Sequence, residues 1–130
     1  MIRKGITLLE TMVVLIIGLV ISMPFTLTHE DSERDWQKVK NEFQQKYLLK
    51  QQQVNLGYFS EFTIRGWQQS IYVGDEEVVL PADWQACNYG NIRWQKSYVT
   101  AGTIRFVNIK TREKASLIFQ LGGGTYRFTT

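Results

Sequence analysis

Few residues in this 130-residue chain are of types that carry out chemistry, and most of those stand alone. Glu10 is the most informative. Arg3 and Lys4 precede it, and Thr11 to Thr28 follow it, a run of 18 residues without a charged side chain. A carboxylate in an apolar helix costs roughly 2–3 kcal/mol on membrane-insertion scales when placed centrally, so it calls for a cationic partner. His29 is the only histidine and Cys87 the only cysteine. That leaves no cysteine cluster, no set with metal-ligand spacing and no intramolecular disulfide. Cys87 reads as a small buried hydrophobe in preference to an intermolecular bridge or a reactive thiol. Glu76 and Glu77 follow Gly74-Asp75 and read as acids of a solvated hairpin turn. Gly122-Gly123-Gly124 is followed by neither Lys-Ser/Thr nor a helical pattern, so it reads as a turn rather than a phosphate cradle. The chemistry expected is therefore that of contact, without catalysis, cofactor or metal.

Charge is unevenly distributed. The overall balance of +3 is too mild to mark a nucleic-acid binder by itself. Residues 28–87, however, hold six Lys and Arg against ten Asp and Glu, and residues 88–130 hold seven against one. The seven are Arg93, Lys96, Arg105, Lys110, Arg112, Lys114 and Arg127. With Trp94, Tyr98 and Tyr126 nearby, they could contact DNA phosphates and stack bases. Equally, they could pair with the acidic half of a neighbouring chain, which requires no DNA and is the preferred of the two readings.

The chain is long enough for one small folded domain. At ~1.5 Å per residue, Thr11 to Thr28 comes near the ~30 Å of a bilayer core. Arg3 and Lys4 on one side, with Glu30, Asp31, Glu33 and Asp35 on the other, would leave the N-terminus cytoplasmic and the bulk outside. The competing readings are a secretory signal, with Val20-Ile21-Ser22 as a weak cleavage site, an ordinary membrane anchor and a buried core helix. Gly18 and Pro24 interrupt the run and predict a bend. From Glu30 to Asn55, Trp36, Val39, Phe43, Tyr47 and Val54 trace one face of a helix that should bury against a sheet. Ser32 with Asp35 predicts a capping box and a fresh helix start, and Gly57 a stop. Beyond Tyr58, short apolar runs between turn formers predict strands at 58–64, 70–73, 77–80, 92–95, 103–108, 116–121 and 125–129. Lys110 to Lys114 reads as a polar turn, with Leu117, Phe119 and Leu121 sharing one face.

Gly5-Ile6-Thr7-Leu8-Leu9-Glu10, after a short basic leader, resembles the prepilin signature of the type IV pilin-like family. The resemblance implies that a membrane peptidase cuts after Gly5 and that the new N-terminal residue, Ile6, is N-methylated. The family most often has Phe at that place. It further implies that Glu10 acts in assembly, lying near the free amine of a neighbour's Ile6. Such a pair sets axial register more than it adds net stability, because both charges lose solvation. The fold implied is α+β: a long N-terminal hydrophobic helix followed by a small antiparallel β-sheet head packed on its C-terminal half. Residues 1–5 would be leader, 6–29 a transmembrane and filament-core helix, and 30–130 an extracytoplasmic helix with its sheet.

The stretches Gly102-Thr103-Ile104-Arg105-Phe106 and Phe119-Gln120-Leu121-Gly122-Gly123-Gly124-Thr125-Tyr126-Arg127-Phe128 resemble more narrowly the ComGD-type minor pilins of Gram-positive competence pili. That implies a structural minor pilin taking part in DNA uptake during transformation, held in the cell membrane before assembly and in a surface pilus after it. A pseudopilin of a type II-like secretion system and a single-pass membrane-anchored binding domain are the alternatives. The partners implied are other pilins of the filament, a prepilin peptidase, an assembly ATPase and its membrane platform protein. DNA enters only as an indirect contact.

Overall fold

The computed structural model describes every residue except Met1 and Ser97, with the side chains of 2–7 and 23–30 left undescribed. The chain divides into two units, Met1–Asp35 and Trp36–Thr130. The helix α1 is Ile2–Asn55. Its stretches with described side chains are 8–22 and 31–55.

The expected long hydrophobic N-terminal helix is corrected here. Among the described residues no helix is long and apolar enough to cross a membrane. The fresh helix start at Ser32 is also absent, since α1 includes that residue. The bend expected at Pro24 falls outside the residues with described side chains.

In the second unit, the helical stripe lies where the periodicity put it. Trp36, Val39, Phe43, Tyr47 and Val54 are all buried. The helix ends as its glycine requires: Gly57 has φ +87°. Its N–H donates to the Val54 carbonyl at 3.0 Å, and the Tyr58 N–H donates to the Gln53 carbonyl at 2.9 Å. Those two bonds satisfy carbonyls that the last turn would leave open.

The head is built on two antiparallel sheets rather than the single one expected. Its strands are β1 (Glu61–Trp67), β2 (Ser70–Val73), β3 (Glu76–Val79), β4 (Trp84–Ala86), β5 (Ile92–Gln95), β6 (Tyr98–Val99), β7 (Gly102–Asn108), β8 (Lys114–Phe119) and β9 (Tyr126–Thr129). The first sheet has the order β3-β2-β1-β5-β6 and the second β4-β7-β8-β9. In the second, Ile104 pairs with Leu117 and Leu117 with Phe128, so one inward row crosses three strands. Helix and sheets meet through aromatic rings. Trp36 stands edge-on to Trp84 at 5.0 Å, Phe43 to Phe128 at 5.4 Å and Tyr47 to Tyr126 at 5.2 Å. The sheets approach closely at Gly66, where an added Cβ would sit 2.6 Å from Ile104 Cγ2.

Several sequence expectations need correction at this level. Glu76 and Glu77 open β3 instead of lying in the turn, which is Gly74-Asp75. Leu121 lies beyond β8 and is 76% exposed, so it does not share the face of Leu117 and Phe119. Cys87 is exposed rather than buried.

Candidate interaction surfaces

Glu10 lies within α1 with an exposed side chain. Leu8, Leu9, Met12, Val13 and Val14 around it are exposed as well. Among the described residues Glu10 has neither an ion pair nor a hydrogen-bond partner. The neighbouring Thr11 hydroxyl, by contrast, donates to the Leu8 carbonyl at 2.9 Å. Gly5 and Ile6 lie outside the residues with described side chains.

The seven C-terminal cations do not form one patch. Arg93, on β5, faces Glu61 at 3.8 Å, and Lys110, in the β7–β8 loop, faces Asp83 at 3.1 Å. Lys96 sits in the turn after β5, and Arg112 in the β7–β8 loop with φ +64°. Only Arg105, Lys114 and Arg127 share a surface. Strand alternation puts all three on the outer face of the second sheet, on β7, β8 and β9. The pairings put Arg105 opposite Ser116 at the middle of β8, Lys114 at one end of that strand opposite Val107, and Arg127 opposite Ile118 towards its other end. No carboxylate lies within 4 Å of them among the described residues. Val107 and Ile118 lie half-buried between them. A shallow groove of about 680 Å³ follows this face, lined by Cys87, Arg105, Lys114, Ser116, Ile118 and Thr129 among others. Asn88 holds its margin, accepting from the Arg105 N–H at 2.7 Å and donating to the Thr103 carbonyl at 2.8 Å.

The three rings offered for base stacking are not available as a set. Trp94 is buried, stacked on Phe62 at 5.4 Å, and Tyr126 is half-buried against Phe43 at 5.1 Å. Tyr98 is exposed but belongs to the first sheet.

The first sheet carries an aromatic surface that the sequence reading did not pick out. Trp67 and Tyr89 are about half exposed and meet edge-to-face at 5.7 Å. The Arg65 guanidinium lies 5.5 Å from the Tyr72 ring and 6.0 Å from that of Tyr89, whose hydroxyl it reaches at 3.3 Å. Across the strands, Arg65 pairs with Tyr72 and Tyr72 with Glu77. The Ser70 and Tyr72 hydroxyls both donate to the Glu77 carboxylate. The signal in the sequence was Arg65 and Trp67 at a spacing of two, which puts both on one face of a strand.

Lys50 was also missed. It continues the helical stripe between Tyr47 and Val54 and is buried, although charged. Its ammonium bonds the Asp75 carboxylate and stands 5.4 Å from the Phe59 ring. That hydrogen bond holds the Asp75 carboxyl below its usual pKa. Burial raises the Tyr47 and Tyr126 phenols above theirs. The Tyr47 hydroxyl donates to the Gly124 carbonyl at 2.9 Å. The Trp94 indole lowers the Tyr47 pKa to a lesser degree, yet its N–H makes no hydrogen bond of good geometry. These groups fasten turns to the helix and are structural. Among the described residues no cluster of three His, Cys, Asp or Glu could hold a metal.

No family model, curated protein or solved structure matches this chain.

Proposed function

We propose that the chain is a minor subunit of a type IV pilus-like filament of the competence kind, processed after Gly5 and contributing to DNA uptake by assembling rather than by catalysis. The observation that carries this reading is Glu10: an exposed carboxylate without a partner among the described residues, surrounded by exposed Leu, Met and Val side chains. Alone, such a surface is costly, because about 25 cal/mol is lost for every Å² of apolar area left in water. Packing the same segment against its counterparts in other subunits removes that area from water. A cation must then meet the acid, since an unpaired charge in a dry interface is strongly destabilising. Cleavage after Gly5 supplies one, the new amine of Ile6. The leader sequence and Glu10 are thus accounted for together.

In this reading the head, from Trp36 onward, is the part of the subunit displayed on the assembled filament. A prepilin peptidase, an assembly ATPase with its platform protein, and sister pilins are the partners. The helical stripe that anchors the two sheets suits a head carried on a packed helix, since its five apolar anchors leave no freedom for the head to rotate on it. The test is mass spectrometry of the protein from its native cell. A mature chain beginning at Ile6 with one added methyl group is expected. A chain retaining residues 1–5 while the peptidase is active would overturn the proposal.

A further inference from the structure

The outer face of the second sheet carries positive charge without a local counter-charge. Arg105, Lys114 and Arg127 are exposed there, and among the described residues no carboxylate lies within 4 Å of them. The other residues that alternate outward on β4, β7, β8 and β9 include no acid and no aromatic ring. We propose that this face binds duplex DNA through its phosphate backbone, with Arg105, Lys114 and Arg127 as the direct contacts.

Three observations select this occupant. Spacing is the first. At ~3.4 Å per residue and ~4.8 Å between strands, the register sets the Cα atoms of Lys114 and Arg105 about 8 Å apart and those of Arg105 and Arg127 about 12 Å apart. A duplex presents its phosphates in rows on either side of grooves ~6 and ~12 Å wide, so long cationic side chains at these positions reach two rows at once. The second is the floor between the cations. Ser116, whose hydroxyl is bonded to that of Thr129, and the half-buried Ile118 form it, and the shallow groove of about 680 Å³ follows it. A low floor of this kind accepts a rod whose charges stand on its outside.

The third is the absence of rings and apolar anchors. A single strand is held by stacking its bases on aromatic side chains. A protein partner is held by aromatic and apolar side chains buried at the centre of the contact. Among the described outward side chains of this face only Val107 and Ile118 are apolar, and both are already half-buried. A duplex requires neither kind of anchor, because its bases stack on each other and its phosphates face outward. The contact touches no base edge, so it is independent of sequence. Arg93 and Lys110 take no part, since they already face Glu61 and Asp83.

The inference goes beyond assembly. The contact itself is read without reference to Gly5, Glu10 or the filament, and only its use in DNA uptake rests on that reading.

The test is a titration of the full-length chain, purified in an uncharged detergent, into a labelled duplex of roughly 20 base pairs, followed by fluorescence anisotropy between about 50 and about 200 mM salt. Three phosphate contacts give a slope of log affinity against log salt of about −2.7, which is roughly a 40-fold loss over that range. Arg105→Gln, Lys114→Gln and Arg127→Gln should each reduce the slope by about 0.9, and Arg105→Lys should preserve it. Arg93→Gln and Lys110→Gln should leave binding unchanged, and a duplex of unrelated sequence should bind equally well. Absence of binding at the low-salt end, binding indifferent to salt, or equal losses in Arg93→Gln and Arg105→Gln would overturn the proposal. So would tighter binding of a single strand or of polyglutamate than of the duplex. Processing and filament recovery are measured in the native cell, so failure of this titration leaves the assembly reading standing, and failure of processing leaves the titration readable.

Discussion

Replacing Phe43 by Ala tests the physical basis of the head. Phe43 has no exposed area. Its ring meets those of Tyr47, Phe119, Tyr126 and Phe128 at 5.9, 6.4, 5.1 and 5.4 Å. The side chain therefore joins α1 to both β8 and β9, and its removal leaves a hole walled by rigid rings that cannot close over it. Phe→Ala at such a site costs about 3–5 kcal/mol. A domain of this size holds only about 5–15 kcal/mol in total. At ~4–8 °C per kcal/mol, the melting temperature should fall by at least ~12 °C. Near-ultraviolet circular dichroism, which follows packed aromatic rings, is the assay, with Leu121→Ala as the reference. Leu121 is 76% exposed, and its loss should change stability by no more than about 0.5 kcal/mol. If Phe43→Ala melts within a few degrees of Leu121→Ala, the helix is not the anchor described here.

Other outcomes follow from single sites. Gly66→Ala would bring a Cβ to 2.6 Å from Ile104 Cγ2 and 3.0 Å from Ala86 Cβ, so the sheets must part. A loss of about 1–3 kcal/mol is expected in thermal unfolding, and a neutral result would place the close approach elsewhere. Tyr47 and Tyr126 have raised pKa values in the folded state, so the stability they contribute is complete below the ordinary phenol pKa of about 10 and is lost as pH rises through the folded values. Alkaline unfolding should accordingly be delayed to higher pH in Tyr47→Phe. Asp75 has a lowered pKa, so its contribution is present above the ordinary carboxylate range and fades as pH falls through the folded value. In Asp75→Asn the acid limb of a stability–pH curve should flatten while the alkaline limb stays in place.

Much of the head was legible because period and packing agreed. The five stripe residues of the helix all proved buried, and β2 and β5 have the expected bounds. β4 and β6 went unseen because three and two residues are too few to show an alternation. Lys50 was overlooked for a different reason: polarity marks a residue as exposed unless a partner is known, and its partner Asp75 is distant in sequence. Apolar type misled in the opposite direction at Leu121 and Cys87, which chain geometry carries past the end of β8 and β4. Net charge located the basic half but not the basic face. Local acids on Asp83 and Glu61 engage two of its members, and only strand register selects Arg105, Lys114 and Arg127. The aromatic surface of the first sheet depends on pairing across β1, β2 and β3, which no local pattern contains.

The central claim is that Glu10 serves assembly between subunits and not the folding of its own chain. Its most direct test is to express Glu10→Ala in the native cell and to measure both the cut after Gly5 and the share of the protein recovered in sheared surface filaments. Cleavage at the wild-type level with filament content reduced about tenfold or more is the result expected for loss of a charge pair in a dry interface. Incorporation equal to that of the wild type would contradict the account.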